Sequence, residues 1–192
     1  LFPYTTLFRS MKKAFANVDD IVRDLKLPLN EENRRAVRIL GYNRMEITAQ
    51  NVEKVSAADN EVQSLIRKMT PAMTLKMIRD GMNPLEKNIE ELNRYLDGQE
   101  ESYEQQAESY SRFLYKLENK KEITKEERES YIGIYRLIRQ IEKTDGAAVG
   151  ALVNTQADLQ FSNLLSAVRS RKFKGMDVRI EDSFGAVSEV VR

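Results

Sequence analysis

Four methionines, Met69, Met73, Met77 and Met82, crowd one short stretch of a chain that has only seven. Methionine is unbranched and carries a polarizable thioether, so it packs against partners of varied shape. Placed on a surface, the four would form a groove for an apolar protein segment. Core filling under a short helix is the competing reading. A second set, Arg169, Arg171, Lys172 and Lys174 around Phe173, brings four cations and one aromatic ring together. These are candidate phosphate contacts whose affinity would fall with salt. Cations at a helix C-terminus, favoured there by its dipole, have the same appearance. Arg34, Arg35 and Arg38 would extend such a patch if the fold brought them near.

Asp97, Glu100, Glu101, Glu104 and Glu108 occur with no intervening base. Oxygen ligands so spaced could hold a divalent cation, but a solvated helix face is the preferred reading. Tyr103, Tyr110, Tyr131 and Tyr135 could stack on bases or pack between two helices. Gly146 and Gly150 lack the preceding strand and the Gly-Lys-Ser/Thr ending of a phosphate cradle. They read as a helix–helix connection or a close backbone approach.

The rest of the composition narrows the chemistry. The 192 residues contain no Cys, no His and no Trp. Disulfides, Cys/His zinc sites, thiol nucleophiles and His-based triads are therefore excluded. Charged residues make up 32% and hydrophobic residues 41%, and the charges cancel to +1. That describes a folded, helix-rich chain with no pull toward polyanions. No apolar run approaches the roughly 20 residues that span a bilayer. Carboxylates alone can do acid–base chemistry, but nothing marks a pair. We expect no enzyme, no catalytic, metal or cofactor residues, no cofactor, no membrane association and no small-molecule substrate. A protein partner is expected, and nucleic acid is not.

The elements that must position these side chains are read from caps and stripes. Asn17 is placed to cap a short helix striped by Val18, Ile21, Val22 and Leu25, ended by Leu27-Pro28. Asn30 caps a second, with Gly41 at the left-handed stop. Thr48 caps a third, through Val52, Val55, Val62, Ile66 and Met69, interrupted at Asp59. Thr70-Pro71 starts a fourth, with Leu75 and Ile78 on its buried side and Gly81 as its stop. Asn83-Pro84 with Glu86 opens a long helix whose seam, Leu85, Ile89, Leu92, Leu96, Gln99, Tyr103, Gln106, Tyr110, Phe113 and Leu117, alternates steps of four and three. A kink or break is expected near Gly98. After a polar turn, Thr124 and Glu127 form a capping box for a helix striped by Tyr131, Ile134, Tyr135, Ile138 and Ile141, closing an antiparallel hairpin. A last helix is expected at 158–172, with Gly175 ending it. Residues 176–191 read as a strand, a hairpin or a helix. The outline Leu29-Asn-x-x-Asn33 recurs as Ile47-Thr-x-x-Asn51 and Ile123-Thr-x-x-Glu127, either as convergent cap chemistry or as a small stacking repeat.

The predicted fold class is all-α: a short-helix cluster at 11–82, a helical hairpin at 83–143, and a small C-terminal piece at 144–192, with one short terminal strand as a variant. Residues 1–10 fit nothing that follows. They look like translated sequencing adapter and are set aside, and the chain reads as a fragment. Leu27–Asn33 followed by Glu46–Val52 resembles the short-helix repeats of bacterial flagellar hook-length-control-like proteins. Arg34–Leu40, Gly81–Glu86 and Asp145–Gly150 together resemble an uncharacterised family of Gram-positive anaerobes, over roughly residues 15–185. That family has no assigned activity and no defined site residues, so none is carried over. The resemblance implies a flagellar association. The expected function is non-enzymatic protein–protein interaction or assembly scaffolding, with a nucleic-acid-binding adaptor using residues 169–174 as the alternative. The expected location is the cytoplasm; export by a flagellar-type route, which uses no cleaved signal, is compatible with it.

Overall fold

The structure is a computed structural model that describes residues 17–99 and 108–170. Among these residues the fold is all-α, with nine helices: α1 Val18–Asp24, α2 Glu31–Tyr42, α3 Ala49–Lys68, α4 Pro71–Arg79, α5 Ile89–Asp97, α6 Tyr110–Asn119, α7 Lys125–Glu142, α8 Ala147–Thr155 and α9 Phe161–Ser170. A 3₁₀ turn, Pro84–Glu86, lies between α4 and α5. The described residues contain one isolated antiparallel bridge, Asn88 with Gln160, and no strand pair.

Most starts follow the cap chemistry. Asn30, Thr48, Thr70, Asn88, Ser109 and Thr124 each accept the N–H of the third residue of their helix. In two of them the third residue reaches back as well. Asn33 Nδ2 donates to the Pro28 carbonyl at 2.7 Å and Asn51 Nδ2 to that of Glu46 at 2.8 Å. Asn163, third in α9, does the same to Asp158 at 2.8 Å. The recurring outline at 29–33 and 47–51 is therefore a device for entering a helix, used a third time where its outline is absent. Asn17 differs: it makes no side-chain cap and instead donates to Asp20. The Thr124 box is half-formed, because the Glu127 carboxylate turns away to Arg79.

Helix α3 is the spine, packed against α2, α5 and α8. Helix α8, rich in Ala and Gly, is buried through Ala147–Leu152 and also contacts α2 and α9. Helix α7 carries α4 and α9. Two apolar clusters result. The smaller joins α1, α2 and the start of α3. The larger joins Val62, Leu65, Met69, Met73 and Met77 to Leu92, Ile138, Ala148, Phe161 and Leu164. It thus draws on described residues from each of the stretches 11–82, 83–143 and 144–192.

Several sequence expectations are corrected. Gly41 lies inside α2, and the left-handed position after it is Arg44 (φ 52°). The helix expected from Leu85 begins only at Ile89, because Pro84 and Asn83 close a 3₁₀ turn first and Asn88 then caps. The break at Gly98 is present. Tyr103 and Gln106 of the seam lie outside the described residues. Residues 145–150, read as a connection, are mostly the start of α8. A helix that is apolar all round is a buried one, and its small residues let it sit close to its neighbours. The expected continuation to 172, Gly175 and residues 176–191 lie outside the described residues.

Candidate functional site

Three of the four methionines proposed as a surface fill the core. Met77 is fully buried, and Met69 and Met73 nearly so. They sit on the inner side of α4 and the end of α3, among Leu65, Leu92 and Ile138 of the larger cluster. Flexible thioethers there fill the irregular space left where α3 gives way to α4 at Thr70-Pro71. Met82 alone is partly exposed, and it leads to the site.

Met82 lines an apolar groove of about 430 Å³ with Ile78, Leu85, Ile134, Leu137 and Leu165. Its walls come from the end of α4, the 3₁₀ turn, the middle of α7 and α9. Gly81, at φ +72°, ends α4 where most side chains would be strained. That stop lets the chain turn, so that the 3₁₀ turn packs on α9 and borders the groove opposite α7. Asn83 Oδ1 accepts the Leu85 N–H at 3.0 Å and fixes the turn. Leu85 is left 46% exposed at the rim. Gly133 of α7 also lines the groove, and a Cβ built there would meet nothing within 4 Å. A glycine in a helix interior costs about 1 kcal/mol relative to alanine. At Gly133 no packing within the described residues requires it. The sequence signals are Leu85 after a proline and Gly133 within a regular stripe; periodicity makes the first a seam residue and is silent on the second.

A second constellation is electrostatic. Arg35 Nε and Nη2 bind the Asp59 carboxylate at 2.6 and 3.2 Å, and Arg35 Nη1 binds Asp145 at 2.9 Å. Tyr42 donates to the other Asp145 oxygen at 2.8 Å. Burial lowers the Arg35 pKa, but the hydrogen bond and charge of Asp59, with Asp145, outweigh it and raise the pKa overall. Burial, then the bond to Asp145, raises Tyr42. Beside this network α8 lies against α2. A Cβ at Gly146 would strike the Ile39 side chain, and one at Gly150 would strike Asn43 and Ile39. Asn43 Nδ2 donates to the Ala147 carbonyl at 3.0 Å across the same contact. Both glycines are thus needed for close approach. The network is a clamp between α2, α3 and the α7–α8 turn.

The tyrosines pack between helices. Tyr110 lies 5.3 Å from Tyr131 and 4.8 Å from Tyr135, ring centre to ring centre. Tyr110 donates to the Met69 carbonyl and shares a 2.7 Å hydrogen bond with Thr74; Tyr131 donates to the Tyr110 carbonyl at 2.7 Å. Burial pushes both phenols well above the ordinary tyrosine range. Tyr103 lies outside the described residues.

Of the basic set, Arg169 is exposed near the end of α9, while Arg171, Lys172 and Lys174 lie outside the described residues. The arginines suggested as an extension are each paired: Arg34 with Asp19, Arg35 with Asp59 and Asp145, Arg38 with Glu31. Of the acidic stretch, Asp97 pairs with Lys68 at 2.6 Å and Glu108 with Lys116; Glu100, Glu101 and Glu104 lie outside. Among the described residues no three carboxylates converge so as to hold a metal ion, and no helix is long and apolar enough to cross a membrane.

No curated protein and no solved structure matches the chain. A family model matches residues 3–165, a span that takes in most of the first ten residues and so gives no support for setting them aside as adapter. The residues that carry the flagellar resemblance are the helix-entry devices described above. With the match covering most of its length, the chain belongs to a family of unknown function, DUF6240.

Proposed function

We propose that this protein is a non-enzymatic interaction module, and that the groove between α4, the 3₁₀ turn, α7 and α9 is where its protein partner docks. The observation that carries the reading is the pairing of Leu85 with Gly133. A large apolar side chain stands exposed at the rim, and a helix glycine without an internal packing reason opens the wall facing it. Exposed apolar area and a destabilising residue both weigh against the folded chain alone, and an occupant would offset both. No observation ties the partner to flagella. The nucleic-acid reading keeps one exposed described cation, Arg169, and loses the α2 arginines to ion pairs.

A photo-crosslinking residue at position 85, compared with one at the equally exposed Tyr115 of α6, tests the proposal in the native host. We expect a discrete adduct from position 85 that Gly133→Leu abolishes, and none from 115. Equal, diffuse adducts from both positions would remove the groove from consideration. A duplex-DNA titration with submicromolar, salt-sensitive binding would put the adaptor reading first.

A further inference from the structure

We infer that the occupant of the groove is an amphipathic helix of another protein that brings Lys or Arg side chains to the Glu126–Glu129 end of α7. The inference rests on the groove being the docking surface and adds what must fill it. Along α7, Ser130, Gly133, Ile134 and Leu137 line the groove. Steps of three and four residues share one helix face, so Glu126 continues this face one turn before Ser130, and Glu129 lies one turn before Gly133. Both carboxylates are exposed, and neither makes an ion pair among the described residues. Arg79, reaching this end of α7 from α4, is held by other groups: it binds Glu127 at 3.1 Å and the Glu122 carbonyl at 2.7 Å. Lys125, one turn before Glu129, makes no pair with it. The dipole of α7 accounts for an acid in its first turn, at Glu126, but its effect fades beyond that turn, where Glu129 stands.

The occupant is a helix for reasons of backbone chemistry. The groove walls are helices and a closed turn, with no sheet edge to pair with an extended strand. An apolar groove therefore suits a segment that satisfies its own backbone groups. Its apolar stripe would face Leu85, Ile134 and Leu165. Gly133 lets its backbone come close to α7, and its flank would meet the two free carboxylates.

The test uses the full chain and a phage-displayed library of helical peptides, with leucine fixed at i, i+3, i+4 and i+7 and the remaining positions random. We expect selected peptides to favour Lys and Arg over Asp and Glu. Replacing those bases by Glu in a selected peptide should weaken binding about tenfold, and the effect should shrink in high salt. The Glu126→Gln/Glu129→Gln double variant, with its helicity checked, should lose binding to the basic peptide and keep it for a neutral one. Selection of neutral or acidic peptides that Gly133→Leu displaces would overturn the basic-helix inference and leave the groove standing. Selection of peptides indifferent to Gly133→Leu, or of none at all, would overturn the groove and the inference together.

Discussion

Arg35 grips Asp59 through two nitrogens at the place along α3 where the two apolar clusters meet. Val52 and Val55 belong to the smaller cluster, Val62 and Leu65 to the larger, and Asp59 lies between them. Its side chain is only 7% exposed. Read from the sequence, Asp59 is a gap in an apolar stripe. In the fold it is the socket for an arginine that also reaches Asp145, 110 residues away in the chain. The pair thus fixes how α2, α3 and the α7–α8 turn sit together.

The two ends of this pair should respond unequally. Arg35→Met leaves a buried carboxylate without its cation, and should cost about 3–5 kcal/mol in urea unfolding. Asp59→Asn keeps an acceptor and leaves Arg35 paired with Asp145, so it should cost under about 2 kcal/mol. Equal losses would mean that the burial of Asp59 does not set the energetics of the clamp.

Local rules made much of the fold legible. The starts at Asn30, Thr48, Thr70 and Thr124 and the stop at Gly81 follow from chemistry within a few residues, and so does the break at Gly98. Less legible were stops made without glycine. Lys26, Arg44, Lys121 and Gln156 all adopt left-handed conformations, at a cost that the sixth-to-first hydrogen bond across each stop offsets, as in Met45 N–H to Leu40 carbonyl at 3.0 Å. Nor could periodicity identify α8, whose apolar residues surround the helix. The site was half legible. Met82 lies in it, but whether Met73 and Met77 face inward depends on where α4 meets α6 and α7, a tertiary fact that composition does not carry.

Two glycines inside helices should respond to alanine with opposite signs. At Gly133 the new methyl enters open space, so Gly133→Ala should stabilise the fold by about 0.5–1 kcal/mol through helix propensity. At Gly150 it strikes Asn43 and Ile39. Moving them disturbs the hydrogen bond to Ala147, so Gly150→Ala should cost about 1–3 kcal/mol despite the same propensity gain. Thermal melts of the two variants make the comparison.

Leu92 of α5 and Ile138 of α7 lie in the larger cluster, 0% and 4% exposed. Truncating either to alanine should cost about 2–5 kcal/mol, the transfer loss plus a cavity. The pair checks whether α5 and α7 share one cooperative core. If they do, both variants should unfold in a single transition at lower urea. A separate early transition for either would divide the core.

Alkaline pH should destabilise the fold through Tyr110 and Tyr131. Burial is the largest cause raising both folded-state pKa values. The unfolded phenols titrate near 10. Below that pH both states hold the proton and the tyrosines make no pH-dependent contribution. Above it the unfolded chain releases protons that the folded chain keeps, so the unfolded state binds fewer and stability falls as pH rises. The stabilisation is therefore full below about pH 10 and lost toward the folded-state values. Each buried tyrosine should add a slope of about 1.4 kcal/mol per pH unit in that window. Tyr131→Phe should remove one such slope, while its loss of the hydrogen bond to the Tyr110 carbonyl costs about 1 kcal/mol at neutral pH. Urea midpoints at pH 8, 10 and 11 for the native chain and this variant measure both effects, and parallel declines would show that other groups govern the alkaline limb.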